Sequence, residues 1–213
     1  IMFTKIKEKN KEKPKLLLHV CCAPCSTHCV EVLKKEYDVT LFFYNPNIHP
    51  QFEYDKRLSD AKKISEKYDV GLIIGDYDYK EWIKAITGLF DEKEGGKRCE
   101  KCFEYRLFKS AQTAKELEMS LFTTTLSISP HKNFKHISKY GKKFGAEFGI
   151  EFLEKDFKKQ DGFKKSRDLS KKLGLYRQKF CGCIFSYDDH IERENKKIEE
   201  EMEKRMKEQM NIE

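Results

Sequence analysis

Apolar residues are concentrated along this chain in short blocks that alternate with longer segments of mixed apolar and charged residues. The blocks are rich in leucine, β-branched and aromatic residues, which is typical of buried strands. They predict five strands, at residues 15–20, 39–44, 70–74, 120–128 and 151–157. Apolar residues at helical spacing predict six helices, at residues 26–35, 52–68, 78–89, 98–118, 133–148 and 166–173.

This alternation of strands and helices predicts a parallel sheet covered by helices on both faces. We therefore expect an α/β protein with a three-layer, parallel-sheet, Rossmann-like fold. In such sheets ligands bind beyond the carboxyl ends of the strands, where the strand order reverses. The first predicted strand runs directly into Cys21-Cys22-Ala-Pro-Cys25, so we expect this cysteine loop at that edge of the sheet.

The chain is expected to contain three regions. Residues 1–15 form a basic, lysine-rich tail, residues 16–187 form a single α/β domain, and residues 188–213 form a charged C-terminal helix. The last region has no glycine or proline and few apolar positions, which favours a solvated helix over a partner-binding one.

Composition limits the function only loosely. With 43 Lys and Arg against 36 Asp and Glu, the formal net charge is +7, which permits nucleic-acid binding but equally suits an ordinary solvated surface. No apolar run approaches the ~20 residues that span a bilayer, and the N-terminal segment lacks the apolar core of a signal peptide. We expect a cytoplasmic protein with reduced thiols and no membrane partner.

Seven of the eight cysteines fall into three tight clusters. They are Cys21-Cys22-Ala-Pro-Cys25, Cys99-Glu-Lys-Cys102 and Cys181-Gly-Cys183. In a reducing compartment clustered thiols are metal ligands or a catalytic dithiol, because structural disulfides need an oxidising compartment. Seven clustered thiols exceed the four ligands of one zinc site. The spacing favours a soft-metal or redox centre built from three distant segments, with structural zinc as the alternative.

Longer motifs surround these cysteines. They read Leu18-His-Val-Cys-Cys-Ala-Pro-Cys-Ser26, Cys99-Glu-Lys-Cys102 with Tyr105-Arg-Leu107, Thr123-Thr-Thr-Leu-Ser-Ile-Ser-Pro-His131, and Lys155-Asp-Phe-Lys-Lys159 with Gly174-Leu-Tyr-Arg-Gln-Lys-Phe-Cys-Gly-Cys183. In this order, the motifs resemble the cobalamin-independent epoxyqueuosine reductase family (QueH). The resemblance implies a fold similar to the nucleotide-binding PP-loop ATPase group.

The reaction implied by this resemblance is the last step of queuosine biosynthesis. Epoxyqueuosine at the wobble position of tRNA anticodons is reductively deoxygenated to queuosine, so that two electrons and two protons enter and water leaves. The implied partners are a tRNA that bears epoxyqueuosine and an electron donor that the sequence does not identify. The 16–187 domain would then be catalytic and would carry an iron–sulfur site.

The resemblance also implies roles for the cysteines. Four of them are implied as ligands of a [4Fe–4S] cluster, namely Cys21, Cys22, Cys99 and Cys102. Cys181 and Cys183 are implied as a redox-active dithiol, and Gly182 between them permits the tight backbone of a disulfide. Cys25 is expected either to bind a second, mononuclear iron or to pack as a small buried hydrophobe.

Two further candidates lie beside the predicted strands. Asp156 lies at the end of the fifth predicted strand, where a catalytic carboxylate would stand, and the alternative is a helix N-cap. His19 ends the first strand and is expected either beside the metal ligands or as a hydrogen-bonded core residue.

Basic and aromatic residues provide candidates for RNA contacts. The residues predicted to contact RNA are Tyr176, Arg177, Lys158 and Arg167. Tyr176 and Phe180 are available to stack on a splayed base, and Arg106 is a further candidate for a phosphate-binding groove. Asp55 and Arg57 are expected to form a helix-surface ion pair.

Two rival functions stay open at this point. One is an ATP- or persulfide-dependent tRNA-modification enzyme whose dithiol carries sulfur, and the other is a zinc-stabilised RNA-binding module without catalysis. The sequence contains neither G-x-x-x-x-G-K-[ST] nor G-x-G-x-x-G, so neither ATP nor a nicotinamide is suggested.

Overall fold

The computed structural model describes residues 13–210. Its five strands are β1 (Lys15–Val20), β2 (Asp38–Phe43), β3 (Gly71–Ile74), β4 (Leu121–Thr124) and β5 (Glu151–Phe152). Its seven α-helices are α1 (Ala23–Leu33), α2 (Gln51–Tyr68), α3 (Tyr79–Ala85), α4 (Lys97–Glu116), α5 (Phe134–Phe148), α6 (Gly162–Lys172) and α7 (Ile184–Met210). The predicted basic tail, 1–15, lies outside the described residues except for its last three, and Lys15 already begins β1.

The strands form one parallel sheet in the order β3-β2-β1-β4-β5. The central strand β1 pairs with β2 on one side and with β4 on the other. Because the chain turns from one half of the sheet to the other at this strand, the carboxyl ends of β1 and β4 enclose the crevice in which such folds bind ligands.

Two hydrophobic cores lie on the two faces of the sheet. On one face Leu16 and Leu18 of β1 pack with Val30 of α1 and Ile64 of α2. On the other face Leu17 packs with residues of α4 and α5. The alternation of side chains along a strand explains this division, since successive residues point to opposite faces. The layers are therefore helix, sheet and helix, as the sequence predicts.

The first helix begins at Ala23, earlier than the predicted start at residue 26. Cys22 is the N-cap residue and Pro24 occupies the first turn, where a residue without an N–H is tolerated. Ser26 and Thr27 lie inside the helix and donate to the carbonyls of Ala23 and Pro24. The cysteine loop therefore continues directly into α1, and Cys25 belongs to its first turn.

The fourth and fifth strands are shorter than predicted. After β4 the chain forms a 3₁₀ turn over Thr125–Ile128, because the Thr124 hydroxyl accepts from the Leu126 amide at 3.1 Å. β5 ends at Phe152 and pairs only with β4. The chain that follows β4 is thus free to line the crevice.

The C-terminal helix begins at Ile184, four residues before the expected boundary at residue 188. Its distal part carries exposed Ile198, Met202 and Met206. Among residues 13–210, no helix combines the length and the apolar character needed to cross a membrane.

Candidate metal and redox site

The first group of thiols lies at the carboxyl end of β1. Cys21 follows the strand, Cys22 caps α1, and Cys25 lies in the first helical turn. The three Sγ atoms lie within 4.8 Å of one another, and those of Cys21 and Cys22 are 3.7 Å apart. Gln178 donates its side-chain N–H to the Cys22 sulfur at 3.2 Å, so the segment before Cys181 reaches this group. Three converging soft donors form a suitable partial coordination shell for iron or zinc.

The three thiols differ in the direction of their pKa shifts. Hydrogen bonds from Cys22 and Cys25 hold the pKa of Cys21 well below its usual range, and the cations of Lys132 and Arg106 act in the same direction. The bond to Cys21 raises the pKa of Cys22 to about 11 and, with a second bond to Cys22, raises the pKa of Cys25. Negative charge in this group therefore resides first on Cys21.

The second group consists of Cys99, Cys102, Cys181 and Cys183. Cys102 and Cys183 are buried beside Trp82 and Ile86. Burial, with a contribution from the neighbouring thiols of Cys181 and Cys102, raises the pKa of Cys99 to about 11. Burial and the adjacent Cys181 raise the pKa of Cys183 to about 11 as well. All eight cysteines are free thiols in the structure.

One cavity joins the two groups. Its volume is about 580 Å³, and it is lined by one cysteine from each sequence cluster, namely Cys25, Cys99 and Cys181. At its exposed rim the cavity is lined mainly by cationic side chains. They belong to Arg167, Arg177, Lys179 and Arg193. Three segments that are distant in sequence thus open onto the same space, as the clustering of cysteines predicts.

Lys132 is a site residue that the sequence patterns do not indicate. It is half-buried and lines the cavity one residue after the motif that ends at His131. Burial by itself lowers the pKa of Lys132, but the thiols of Cys181 and Cys21 outweigh it and raise that pKa above its usual value. Lys132 is therefore a fixed positive charge facing both thiol groups.

Arg106 is a second internal cation, and its predicted place in a surface groove is wrong. Only 2% of the residue is exposed, because α4 turns it into the core. One of its terminal nitrogens donates to the side-chain oxygen of Asn45, and its Nε has no partner among the described residues. Its charge acts on both groups, since it lowers the pKa of Cys21 and opposes the burial effect on Cys102.

Of the two alternatives predicted for His19, the structure supports the hydrogen-bonded core residue. It is fully buried, with Nδ1 at 2.8 Å from the Thr124 hydroxyl and Nε2 at 3.0 Å from the Tyr44 carbonyl. Burial and the nearby Arg106 lower its pKa to about 3. A neutral imidazole with its proton on Nε2 satisfies the Tyr44 carbonyl and links β1 to β4 below the cysteine loop.

Arg57 holds the backbone of the Cys181-Gly-Cys183 loop. The predicted surface pair with Asp55 is wrong, since Arg57 is 2% exposed and its guanidinium lies 2.7 Å from the Glu53 carboxylate. Its terminal nitrogens donate to the carbonyls of Cys181 at 2.9 Å and Phe180 at 3.3 Å.

Gly182 is required where the loop meets Arg57. Its φ is +127°, in a region that residues with a side chain rarely adopt, and a Cβ there would lie 2.8 Å from the Arg57 guanidinium. The spacing of four residues between Glu53 and Arg57 was a possible signal for the ion pair. The contact between Arg57 and Cys181 has no such local signal, because the two residues are 124 positions apart in the sequence.

The predicted RNA-binding residues are divided among three locations. Arg167 and Arg177 line the cavity. Tyr176 is turned toward α2, where its hydroxyl donates to Glu53 at 2.8 Å and Lys56 lies over its ring. Lys158 is outside the cavity lining and donates to the Lys132 carbonyl at 3.4 Å.

Asp156 also stands apart from the cavity lining. Its Oδ1 accepts from the backbone amide of Lys158 at 3.1 Å and lies 3.7 Å from the ammonium of the same residue. These contacts stabilise the turn after β5. Asp156 does not cap a helix, since the N-cap residue of α6 is Asp161, and its catalytic role stays a prediction without a contact that supports it.

The fold and the site define a parallel α/β protein with a cationic, thiol-lined cavity at the point where the strand order reverses. A sequence profile of the epoxyqueuosine reductase QueH family matches residues 16–189. The chain is 39% identical to the epoxyqueuosine reductase QueH of Streptococcus pyogenes over 188 residues, which cover 85% of this chain and 74% of that one. It is 38% identical to that of Thermotoga maritima over 187 residues, covering 86% and 94%. The chain belongs to the epoxyqueuosine reductase QueH family and is an oxidoreductase.

A solved structure supports the fold class. The U34-tRNA thiolase NcsA from Methanococcus maripaludis, determined with its [4Fe–4S] cluster, superposes with a TM-score of 0.51 at 14% identity. The match covers 83% of this chain and 62% of the thiolase. It confirms the predicted Rossmann-like α/β fold.

Proposed function

We propose that this protein reduces epoxyqueuosine to queuosine at the wobble position of a tRNA anticodon, without cobalamin. Both C–O bonds of the epoxide break, an alkene forms, two electrons and two protons are consumed, and the oxygen leaves as water. The observation that carries the proposal, together with family membership, is the single cavity onto which Cys25, Cys99 and Cys181 open.

The first group of thiols fits part of an iron–sulfur cluster site, whereas among residues 13–210 neither Cys99 nor Cys102 joins that group within 4.8 Å. Such clusters are held by cysteine thiolates, and the Sγ atoms of Cys21, Cys22 and Cys25 lie within 4.8 Å of one another. We propose that Cys21 and Cys22 hold a [4Fe–4S] cluster, with Cys99 and Cys102 as its further ligands. When bound, the cluster would supply electrons at low potential.

Cys25 is proposed to ligate iron as well, because it lies with Cys21 and Cys22. Its iron is either part of the cluster or a second, mononuclear iron. Iron analysis of Cys25→Ser separates the two. Loss of about one iron per chain indicates the mononuclear iron, whereas loss of about four irons with the sulfide indicates the cluster.

We propose that Cys181 and Cys183 are the dithiol. Oxidation of these thiols to a disulfide releases two electrons and two protons, which is the amount that the deoxygenation consumes. Cys181 lines the cavity and Cys183 lies behind it, where its thiol is 3.4 Å from the Ser186 hydroxyl. A separate electron donor must then reduce the disulfide after each turnover.

The rim charges support an RNA substrate. Arg167, Arg177, Lys179 and Arg193 line the cavity against one acidic residue, Glu94. Lys and Arg side chains bind the phosphates of nucleic acids, and this attraction weakens as the salt concentration rises. A tRNA substrate would place the protein in the cytoplasm.

The proposal is tested by anaerobic incubation of the reduced protein with an anticodon stem-loop that contains epoxyqueuosine, with no cobalamin added. Mass spectrometry of the nucleosides should show a product that lacks one oxygen atom. Unchanged epoxide after incubation with fully iron-loaded, reduced protein would contradict the proposal. A sulfur-containing product would indicate the persulfide-dependent class instead.

A further inference from the structure

We propose that Phe163 is the surface on which a nucleobase of the RNA substrate stacks at the mouth of the thiol-lined cavity. This inference rests on the proposed function, because it takes the ligand to be RNA, and it adds a binding residue that the sequence motifs do not indicate.

Among the three phenylalanines that line the cavity, Phe163 is the one with an available ring. Phe103 is buried, at 6% exposure. Phe180 is already stacked on His190 and packed against Tyr187, with ring centroids 5.8 and 5.3 Å away. Phe163 is 37% exposed, and among residues 13–210 no aromatic ring packs against it. The stacking role predicted for Tyr176 and Phe180 thus passes to a residue whose ring is free.

The position of Phe163 is fixed by its neighbour Gly162. A Cβ at Gly162 would lie 1.8 Å from the carbonyl oxygen of Phe157, so only glycine permits this close approach of α6 to the preceding segment. Further along α6, the hydroxyl of Ser166 donates to the carbonyl of Pro24, next to Cys25. The ring is therefore carried on a helix docked against the helix that bears Cys25, and such preorganisation lowers the cost of ordering on binding.

Charged side chains around Phe163 favour a nucleic acid over other ligands. Arg167 lies one turn further along α6 on the same face, and Arg177 and Arg193 also line the cavity. Arg167 is 43% exposed and approaches Asp168 at 3.6 Å, so its guanidinium lies at the surface. An exposed ring beside cations that contact phosphates is the arrangement that binds single-stranded nucleic acids. The cavity, at about 580 Å³, is within the ~300–1,000 Å³ of small-ligand pockets and can admit a splayed nucleoside.

The test compares Phe163→Ala with Phe52→Ala, which removes a phenylalanine that is 61% exposed on α2 and outside the cavity lining. The probe is a fluorescently labelled RNA anticodon stem-loop, and its affinity for each iron-loaded protein is measured by fluorescence anisotropy. Because Phe163→Ala removes the binding free energy of one base–aromatic stack, it should weaken binding by about 5- to 150-fold. Phe52→Ala should bind like the parent protein, and Phe163→Trp should keep most of the affinity.

The salt dependence distinguishes stacking from charge. Phe163→Ala should weaken binding equally at all salt concentrations, whereas Arg167→Gln should reduce the slope of log affinity against log salt by about 0.7. Equal affinity of Phe163→Ala and Phe52→Ala would overturn the inference, and so would a Phe163→Trp variant as weak as the alanine variant. Absence of epoxyqueuosine turnover by the parent protein would refute the proposed function but would leave this binding result intact.

Discussion

Removing the guanidinium of Arg57 should destabilise the protein much more than breaking any surface ion pair. Arg57 and Glu53 are 2% and 1% exposed, and their charged atoms are 2.7 Å apart. In Arg57→Met the Glu53 carboxylate stays buried with the Tyr176 hydroxyl as its remaining hydrogen-bond partner among the described residues. Leaving one charge of a buried pair uncompensated costs about 3–5 kcal/mol.

The assay is urea unfolding of anaerobically prepared proteins of equal iron content. With a slope of roughly 2 kcal/mol per molar urea, Arg57→Met should lower the midpoint by about 1.5–2.5 M. The double variant Glu53→Gln/Arg57→Met should recover at least about half of the loss, because it removes both charges of the pair.

A matched control is Lys84→Met, which breaks an exposed pair with Glu81 whose side chains are 72% and 57% exposed. It should cost less than ~1 kcal/mol. If Arg57→Met loses no more stability than Lys84→Met, the buried pair does not hold the loop as described. The double variant should still turn over slowly, because the Cys181 carbonyl has lost the donor at 2.9 Å that fixes it.

The remaining predictions concern the thiols and the rim. Cys99→Ser or Cys102→Ser should bleach the protein and remove its iron, and retained colour in both variants would place the cluster elsewhere. Cys181→Ser and Cys183→Ser should each abolish turnover while leaving iron and colour nearly intact; loss of iron in either would make this pair metal ligands. Binding of the stem-loop should weaken as salt rises, and Arg177→Gln should reduce that dependence by roughly one phosphate contact; affinity that is insensitive to salt would refute the cationic rim.

The sheet and the cysteine loop could be predicted because local patterns determine them. The apolar run of β1 gave its observed bounds, Lys15–Val20, and the loop follows directly. The end of β4 was misplaced because the β-branched Thr125 and Ile128 also suit a strand, whereas the Thr124 hydroxyl starts a 3₁₀ turn. Strand propensity alone does not distinguish the two, since tertiary context decides it.

The contacts that complete the site could not be predicted, because they join residues far apart in sequence. Arg57 donates to the carbonyl of a residue 124 positions away in the sequence, and the charge of Lys132 interacts with thiols from two other segments. A charged residue in a predicted helix is usually solvated, so burial of Arg57 and Arg106 follows from the packing and not from spacing. The exposure of Phe163 could not be predicted either, because it becomes visible only once α6 has its position in the fold.

The proposed [4Fe–4S] cluster is tested most directly by iron and sulfide analysis of the protein purified without oxygen. We expect a brown protein with about four irons and four sulfides per chain, since a cubane cluster requires both, and about one more iron if Cys25 holds a mononuclear site. A colourless protein that contains one or two zinc ions and no sulfide would contradict the redox centre and would indicate a zinc-stabilised RNA-binding module.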